Sequence, residues 1–564
     1  MKLAALAILG AWAVVGAQEA AQTPGLSTVR TQTIEPPFEL AGHRIVDLDG
    51  DGSAELLVFA RDGRVRTLRP LRESPSASEA PEELTLDDPA HTLVDIARLG
   101  PRASLIAATP RGVLAYATGD DKRLATTPTT LIARGKFTLR VGVPLQSSIV
   151  QDVNRDGVPD IVLPGVGGCE LWLAHAVEGQ PLPSFQRAAT IAVEVSRGGD
   201  QQAKYLSDRL EASFAIPNLD TRDVNGDGRP DLLVEQDMRR SFHLQRADGS
   251  FPLQPDVSVD LSIFRDTTED AGFEFGGTVS GGDRATYEAR DLDGDKIPDY
   301  VVAHGRKVWV FRASSAGPQF TEPSAILKAA DDVTAVLVMP LDDDALPELL
   351  LVKVQIPTLA TLLRGLFGEW DVPIGVVGYR NEGAGVFDTT PHWKNELTIR
   401  LPGIIGVMKN PGKVLERVDA LGKRFRTAER GELNGDGARD VMIVTEDEKA
   451  LEIWFGRAGE SEADTSNERR VREMLFDDQD KVWDIDRVLM AIGNFAQRRI
   501  ALQTGGRAAE ASLTLRDPAT DKLGSLEPAD FDGDGRDEIV LAYDRRSGVR
   551  RTTFDVVRVT TGAK

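Results

Sequence analysis

Asp47-Leu48-Asp49-Gly50-Asp51-Gly52-Ser53-Ala54-Glu55, followed at once by Leu56-Leu57-Val58-Phe59, decides how this chain folds. Carboxylates stand at positions 1, 3, 5 and 9 of the stretch, and glycine fills position 6. Alternate acidic side chains carried round a tight turn converge, and glycine permits the left-handed backbone that such a turn needs. The apolar run behind it reads as a buried strand. A turn at Asp62-Gly63 and a second strand over 65–68 complete a loop-plus-hairpin unit.

The unit recurs. Asp152, Asn154, Asp156 and Asp160 keep the same positions, with Val158 at position 7 and a strand from Ile161. Asp223, Asn225, Asp227, Arg229 and Asp231 form the third copy, and Asp291, Asp293, Asp295, Ile297 and Asp299 the fourth. Glu432, Asn434, Asp436, Ala438 and Asp440 form the fifth, and Asp530, Asp532, Asp534, Arg536 and Glu538 the sixth. Three worn units keep the hairpin and lose ligands. In 340–348 Pro340 replaces the first carboxylate, and the units around 96–107 and 492–502 have none.

Such loops suit calcium, a hard cation that takes 6 to 8 oxygens in flexible geometry. Side chains at positions 1, 3, 5 and 9 and the backbone carbonyl at position 7 (Ser53 in the first copy) make the predicted ligand set, for up to six ions. An EF-hand opens alike but needs a bidentate glutamate at position 12 and flanking helices. Position 12 here is Val58, Leu163, Val234, Val302, Ile443 and Leu541, all apolar, which rejects it. Lys296 in place of the position-6 glycine and Glu432 at position 1 are the departures that predict weaker sites.

The pattern D-x-[DN]-x-D-G-x-x-[DE] before a short apolar strand resembles the FG-GAP/VCBS repeats of secreted proteins and integrin α-subunits. With the worn copies it covers most of residues 40–560. The resemblance implies an all-β fold, a β-propeller with a calcium loop in each intact blade. Nine units are visible, against the seven or eight blades of commoner closures, so seven to nine four-stranded blades are expected. The last hairpin lacks a strand, and the segment 33–40 is expected to complete it.

The domain reading is a signal peptide over 1–17, a flexible segment over 18–32 and one propeller over 33–560. A helical insertion is expected around 357–430. Apolar residues at 359, 362, 363, 366, 367 and 370 give 358–370 an amphipathic helical stripe, and 413–426 is a more basic candidate. Lys2, the apolar run over 3–15 and small residues before Gln18 predict a cleaved leader, hence a secreted or periplasmic protein that is not integral to a membrane. One cysteine, Cys169, forms no internal disulfide and reads as a buried strand residue.

A net charge of −22, nearly all of it explained by loop carboxylates, excludes nucleic acid as a partner, since phosphate binding needs a basic footprint. The six histidines are scattered without zinc spacing, and no nucleophile elbow or phosphate loop is present. Repeated aspartates explain themselves as metal loops, whereas a catalytic pair would be unique. The expected function is a monomeric binding or scaffold module for protein or glycan, with a carbohydrate-active lyase or hydrolase as the alternative. Tyr379, Arg380, His392 and Trp393 are the candidates that repetition does not explain.

Overall fold

The computed structural model describes residues 18–19, 26–71, 82–165, 168–180, 182–191, 194–199, 210–215, 218–264, 285–329, 333–342, 346–354, 370–383, 385–401, 428–445, 447–456, 482–484, 507–546 and 551–561. Among them it is all-β, built from eight antiparallel sheets of four strands or more. Sheet 1 runs Leu40–Val46, Glu55–Ala60, Arg64–Leu68 and Glu83–Thr85. Sheet 2 runs Leu93–Ala97, Ser104–Thr109, Gly112–Ala117 and Thr129–Ile132, with Leu145–Gln146 added parallel to its first strand. Sheet 3 is Val150–Gln151, Asp160–Leu163, Cys169–His175 and Ser184–Ile191. Sheet 4 is Asn218–Arg222, Asp231–Gln236, Arg239–His243 and Val257–Asp260.

Sheet 5 is Thr286–Arg290, Asp299–His304, Lys307–Phe311 and Ala325–Lys328. Sheet 6 is Ala335–Met339, Glu348–Val354, Trp370–Tyr379 and Trp393–Leu401, with Val482–Asp484 parallel to its last strand. Sheet 7 is Ala428–Gly431, Asp440–Val444, Ala450–Trp454 and Ala511–Thr514. Sheet 8 joins Asp521–Ala529, Glu538–Arg545 and Thr552–Thr561 to the N-terminal strand Leu26–Ile34. Eight of the nine repeat units are thus sheets, and the unit at 492–502 lies outside the described residues, as do the leader 1–17 and most of both helix candidates.

Two expectations change. The strand that completes the last hairpin is Leu26–Ile34, not 33–40. The middle of the expected helical insertion is two long strands of sheet 6, and Trp370, placed at the end of a helical stripe, opens one of them opposite Leu401. Val372, Ile374, Val376, Val377 and Tyr379 favour the pleated surface that pairing with Glu348–Val354 offers, in spite of Pro373, Gly375 and Gly378 among them.

The sheets fall into two compact units. One holds sheets 1, 2, 7 and 8, the other sheets 3 to 6. Within each, neighbouring sheets pack face to face. Leu56 and Val58 lie against Phe531 and Val540 of sheet 8, while Leu57 and Phe59 of the same strand lie against Leu105 and Ala107 of sheet 2. In sheet 5, Tyr300 and Val302 meet Phe242 of sheet 4, and Val301 and Ala303 meet Leu349 and Leu351 of sheet 6. Successive strand side chains point to opposite faces, so a strand covered on both must be apolar throughout. That is why each loop runs straight into an unbroken apolar stretch.

Candidate metal centres

Each intact loop joins the first strand of its sheet to the second, and one backbone shape serves all six. Positions 4 and 6 are both left-handed: Gly50 and Gly52 have φ of 79° and 89°, Gly533 and Gly535 of 75° and 82°. Lys296 takes φ 71° where other copies have glycine, and Arg155 takes φ 56° at position 4. The position-4 requirement is missed by a reading that stops at position 6, although glycine recurs there in Gly50, Gly226, Gly294, Gly435 and Gly533.

The position-1 carboxylate gathers the N–H groups of the turn. Asp47 accepts from Gly50 at 2.7 Å and Gly52 at 3.2 Å, and Asp291 accepts from Gly294 at 2.7 Å and Lys296 at 2.8 Å. Glu432 does the same work with its longer side chain, accepting from Gly435 at 2.6 Å and Asp436 at 3.2 Å. The N–H at position 7 donates to the position-5 carboxylate in every copy: Ser53 to Asp51, Val158 to Asp156, Arg229 to Asp227, Ile297 to Asp295, Ala438 to Asp436 and Arg536 to Asp534.

Position 9 is buried and doubles as a staple. Glu55, Asp160, Asp231 and Asp440 have no exposed surface, and each accepts the N–H of position 2, at 2.9 Å from Leu48, Val153 and Val224 and 2.8 Å from Leu433. The aspartates also accept a second N–H from the third strand's exit, as Asp160 does from Ala174 and Asp299 from Ala313. In the worn loop, Glu348 keeps the bond from Leu341 at 2.6 Å although Pro340 has replaced the first ligand.

Ligand oxygens of Asp47, Asp49 and Asp51 lie within 4.8 Å of one another, as do those of Asp291, Asp293 and Asp295, and of Asp530, Asp532 and Glu538. In the other three loops position 3 is asparagine, whose amide donates to the position-5 carboxylate: Asn154 to Asp156 at 2.9 Å, Asn225 to Asp227 at 2.9 Å, Asn434 to Asp436 at 3.0 Å. The donors are hard oxygens throughout, which fits a hard cation; in the first loop Lys122 Nζ lies 3.2 Å from Asp49 Oδ2 and 2.6 Å from Asp51 Oδ2.

Electrostatics agree. Burial pushes the carboxyls of Asp160, Asp299 and Asp440 up to about 6 and Glu538 up to about 7. Bonds from backbone N–H groups oppose the shift, and neighbouring loop carboxylates add to it. A bound divalent cation would relieve both the burial and the mutual repulsion.

The histidines stay apart. His43 meets Glu527 at 2.9 Å, His91 meets Asp88 at 2.9 Å, and buried His243 meets the Pro252 carbonyl at 2.9 Å. The four residues outside the repeat pattern are absorbed by sheet 6. Tyr379 packs in an apolar cluster, Arg380 Nε is 3.6 Å from Asp342, His392 is 3.5 Å from Asp388, and Trp393 registers with Gly378. Beside them, Asn381 was missed: buried, it donates to the carbonyls of Leu292 at 2.7 Å and Pro347 at 3.2 Å, tying sheet 5 to sheet 6.

No family model and no curated protein matches the chain. Among solved structures it is similar to an Agrocybe aegerita lectin that recognises non-reducing terminal N-acetylglucosamine, with 12% identity over 62% of this chain and 91% of the lectin and a TM-score of 0.25. The Vibrio cholerae biofilm matrix protein Bap1 matches with 11% identity over 94% of this chain and 68% of its own, TM-score 0.20. Kluyveromyces lactis Hsv2 matches with 12% identity over 66% and 78%, TM-score 0.20.

Proposed function

We propose that the chain is a secreted, calcium-stabilised β-propeller of the FG-GAP/VCBS kind, with its eight larger sheets as blades, acting as a binding or scaffold module for a protein or glycan. The observation that carries this reading is repetition. Six loops share one backbone shape and one set of oxygens, whereas a catalytic centre would break the pattern. Tyr379, Arg380, His392 and Trp393, the candidates outside the loops, have local partners in or beside sheet 6.

Two runs of packed sheets, 7-8-1-2 and 3-4-5-6, support the propeller reading, because within each run every sheet packs on the next. Among the described residues no helix is long and apolar enough to cross a membrane. Export by the leader 1–17 is tested by N-terminal sequencing of the exported protein, which should begin at Gln18.

Calcium is tested by melting the full chain in chelator and in calcium. A ligand that binds only the folded state at a thousand times its Kd adds about 4 kcal/mol for one site. A large rise in Tm on adding calcium is expected, and identical melts would overturn the metal reading. A glycan array and a pull-down against immobilised extracellular proteins test the binding role. Turnover of a polysaccharide, in place of binding, would favour the lyase or hydrolase.

A further inference from the structure

The register of the hairpins reveals a second pattern. Opposite position 10 in each sheet stands a residue of the third strand: Leu68 faces Leu56, Trp172 faces Ile161, His243 faces Leu232, Phe311 faces Tyr300, Trp454 faces Val441 and Val557 faces Ile539. The residue after each is Arg69, Leu173, Leu244, Arg312, Phe455 and Arg558. Arginine occupies this place in the three loops with aspartate at position 3. An apolar residue occupies it in the three loops with asparagine there.

The arginines touch their loops. Arg312 pairs with Asp293, and Arg558 pairs with Asp532 and Asp534 and lies 3.7 Å from Glu538; Arg69 lies 3.3 Å from the position-9 Glu55, while in its loop Lys122 Nζ lies 3.2 Å from Asp49 and 2.6 Å from Asp51. Their counterparts Leu173 and Leu244 are buried in the apolar clusters of their sheets. The worn loop obeys the same rule. Tyr379 faces Leu349, so the matching residue is Arg380, and it lies 3.6 Å from the position-3 Asp342 although Pro340 has removed the first ligand. The arginine therefore follows the position-3 carboxylate rather than a complete ligand set.

We infer that Arg312, Arg558 and Arg380 are built-in counter-charges matched to position-3 aspartates, the role Lys122 takes in the first loop, and that they hold those loops together without metal and temper their affinity for it. Over the side chains at positions 1, 3, 5 and 9 and this one residue, four carboxylates with one guanidinium carry the same charge as three carboxylates with none. The affinity part of the inference rests on the calcium reading above; the charge match does not.

The test converts one class of loop into the other. In the full chain kept in chelator, Arg312→Leu should lower Tm by about 2 °C or more, and adding Asp293→Asn should restore it. Asp342→Asn with Arg380→Leu repeats the comparison where the first ligand is already lost, and serves if sheet 5 does not tolerate the change. In titration calorimetry Arg312→Gln should bind calcium about fivefold more tightly at one site, the order of effect of one exposed charge pair, and Arg312→Lys should not. Single variants that melt like the parent, or double variants no better than the singles, overturn the charge match. Unchanged or weaker calcium binding by Arg312→Gln overturns the tempering of affinity. A successful rescue with no calcium uptake by the parent chain would leave the charge match standing and overturn the calcium reading instead.

Discussion

Gly533 in the sixth loop lies so close to Ser53 in the first that a β-carbon at 533 would come within 2.7 Å of the Ser53 Oγ. The same relation recurs between Gly226 and Ile297 and between Gly435 and Arg536, always from position 4 of one loop to position 7 of the next. Adjacent loops are also bonded through their backbones, Ala54 N–H donating to the Asp530 carbonyl at 2.6 Å and Asp537 N–H to the Glu432 carbonyl at 2.5 Å. Gly226, Gly435 and Gly533 are thus held by two demands, a left-handed backbone and a close neighbour.

Those demands separate by mutation. Gly533→Ala should cost about 2 kcal/mol, part backbone and part collision with Ser53, while Gly535→Ala, at φ 82° with nothing within 4 Å, should cost only the backbone part of about 1 kcal/mol. Ser53→Gly should recover the difference for Gly533→Ala and nothing for Gly535→Ala. Chemical denaturation of the four variants checks this.

Lys296 pays the backbone cost in the wild-type chain. It sits at φ 71° where Gly52, Gly157, Gly228, Gly437 and Gly535 stand in the other copies. Lys296→Gly should therefore stabilise the protein by ~0.5–1 kcal/mol, the gain left after the extra freedom of glycine in the unfolded chain. Equilibrium denaturation measures it. Arg155→Gly makes a sharper comparison, because the same backbone relief is set against loss of the 2.8 Å bond from Arg155 to the Thr221 carbonyl.

The loops and their strands were legible because the signal is local: nine consecutive residues fix the turn, and the apolar run behind it fixes a strand covered on both faces. Sheet number was less legible. The unit at 96–107, with no carboxylates, is still a full sheet, since its apolar frame alone suffices to fill the space beside Leu57 and Phe59. The rest failed where pairing is distant. Nothing near Leu26 says that it will meet Thr561, and the stripe ending at Trp370 matched a helical period while its last member was claimed by Leu401. The counter-arginines were invisible for the same reason, because a hairpin's register is needed to see that Arg69, Arg312 and Arg558 share one place.

Cys169 offers a chemical probe of the core. It is fully buried on the third strand of sheet 3, and burial pushes its thiol up to about 12, with Glu170 adding to the shift. A thiol that is neither accessible nor ionised is inert. At pH 8 the native protein should leave a disulfide reagent such as dithionitrobenzoate unreacted, and one equivalent should react on unfolding. Rapid labelling of the native protein would place that strand at the surface.

Acid should loosen the contact between His43 and Glu527. The hydrogen bond from His43 holds the Glu527 carboxyl below its ordinary value, against the opposing effect of burial. A carboxyl whose folded value is depressed contributes stability that is present above its unfolded value and is lost as pH falls through the folded one. The loss therefore belongs below the usual glutamate range, under about pH 4.3. Stability measured from pH 6 to pH 3 should fall less steeply in Glu527→Gln than in the parent. The Glu527 side chain is 39% exposed, so solvent screening keeps the difference small.

The N-terminal strand should be separable from the rest and able to return. Leu26–Ile34 pairs along Thr552–Thr561 from Leu26 opposite Thr561 to Ile34 opposite Phe554, and Val29 enters the cluster of Leu541, Val557 and Val559. Removing residues 18–34 would strip one face of pairing from Thr552–Thr561 and leave that strand as an open edge, a template for aggregation. The truncated chain should melt at least about 5 °C lower and aggregate on standing. A synthetic peptide of residues 26–34 supplied in excess should restore both properties, since an extended segment can rejoin an exposed edge through main-chain bonds alone. A peptide with Val29→Asp should rescue poorly, because register and backbone are unchanged and only the apolar anchor is lost. Equal rescue by both peptides would mean that backbone pairing, not the Val29 contact, holds the strand in place.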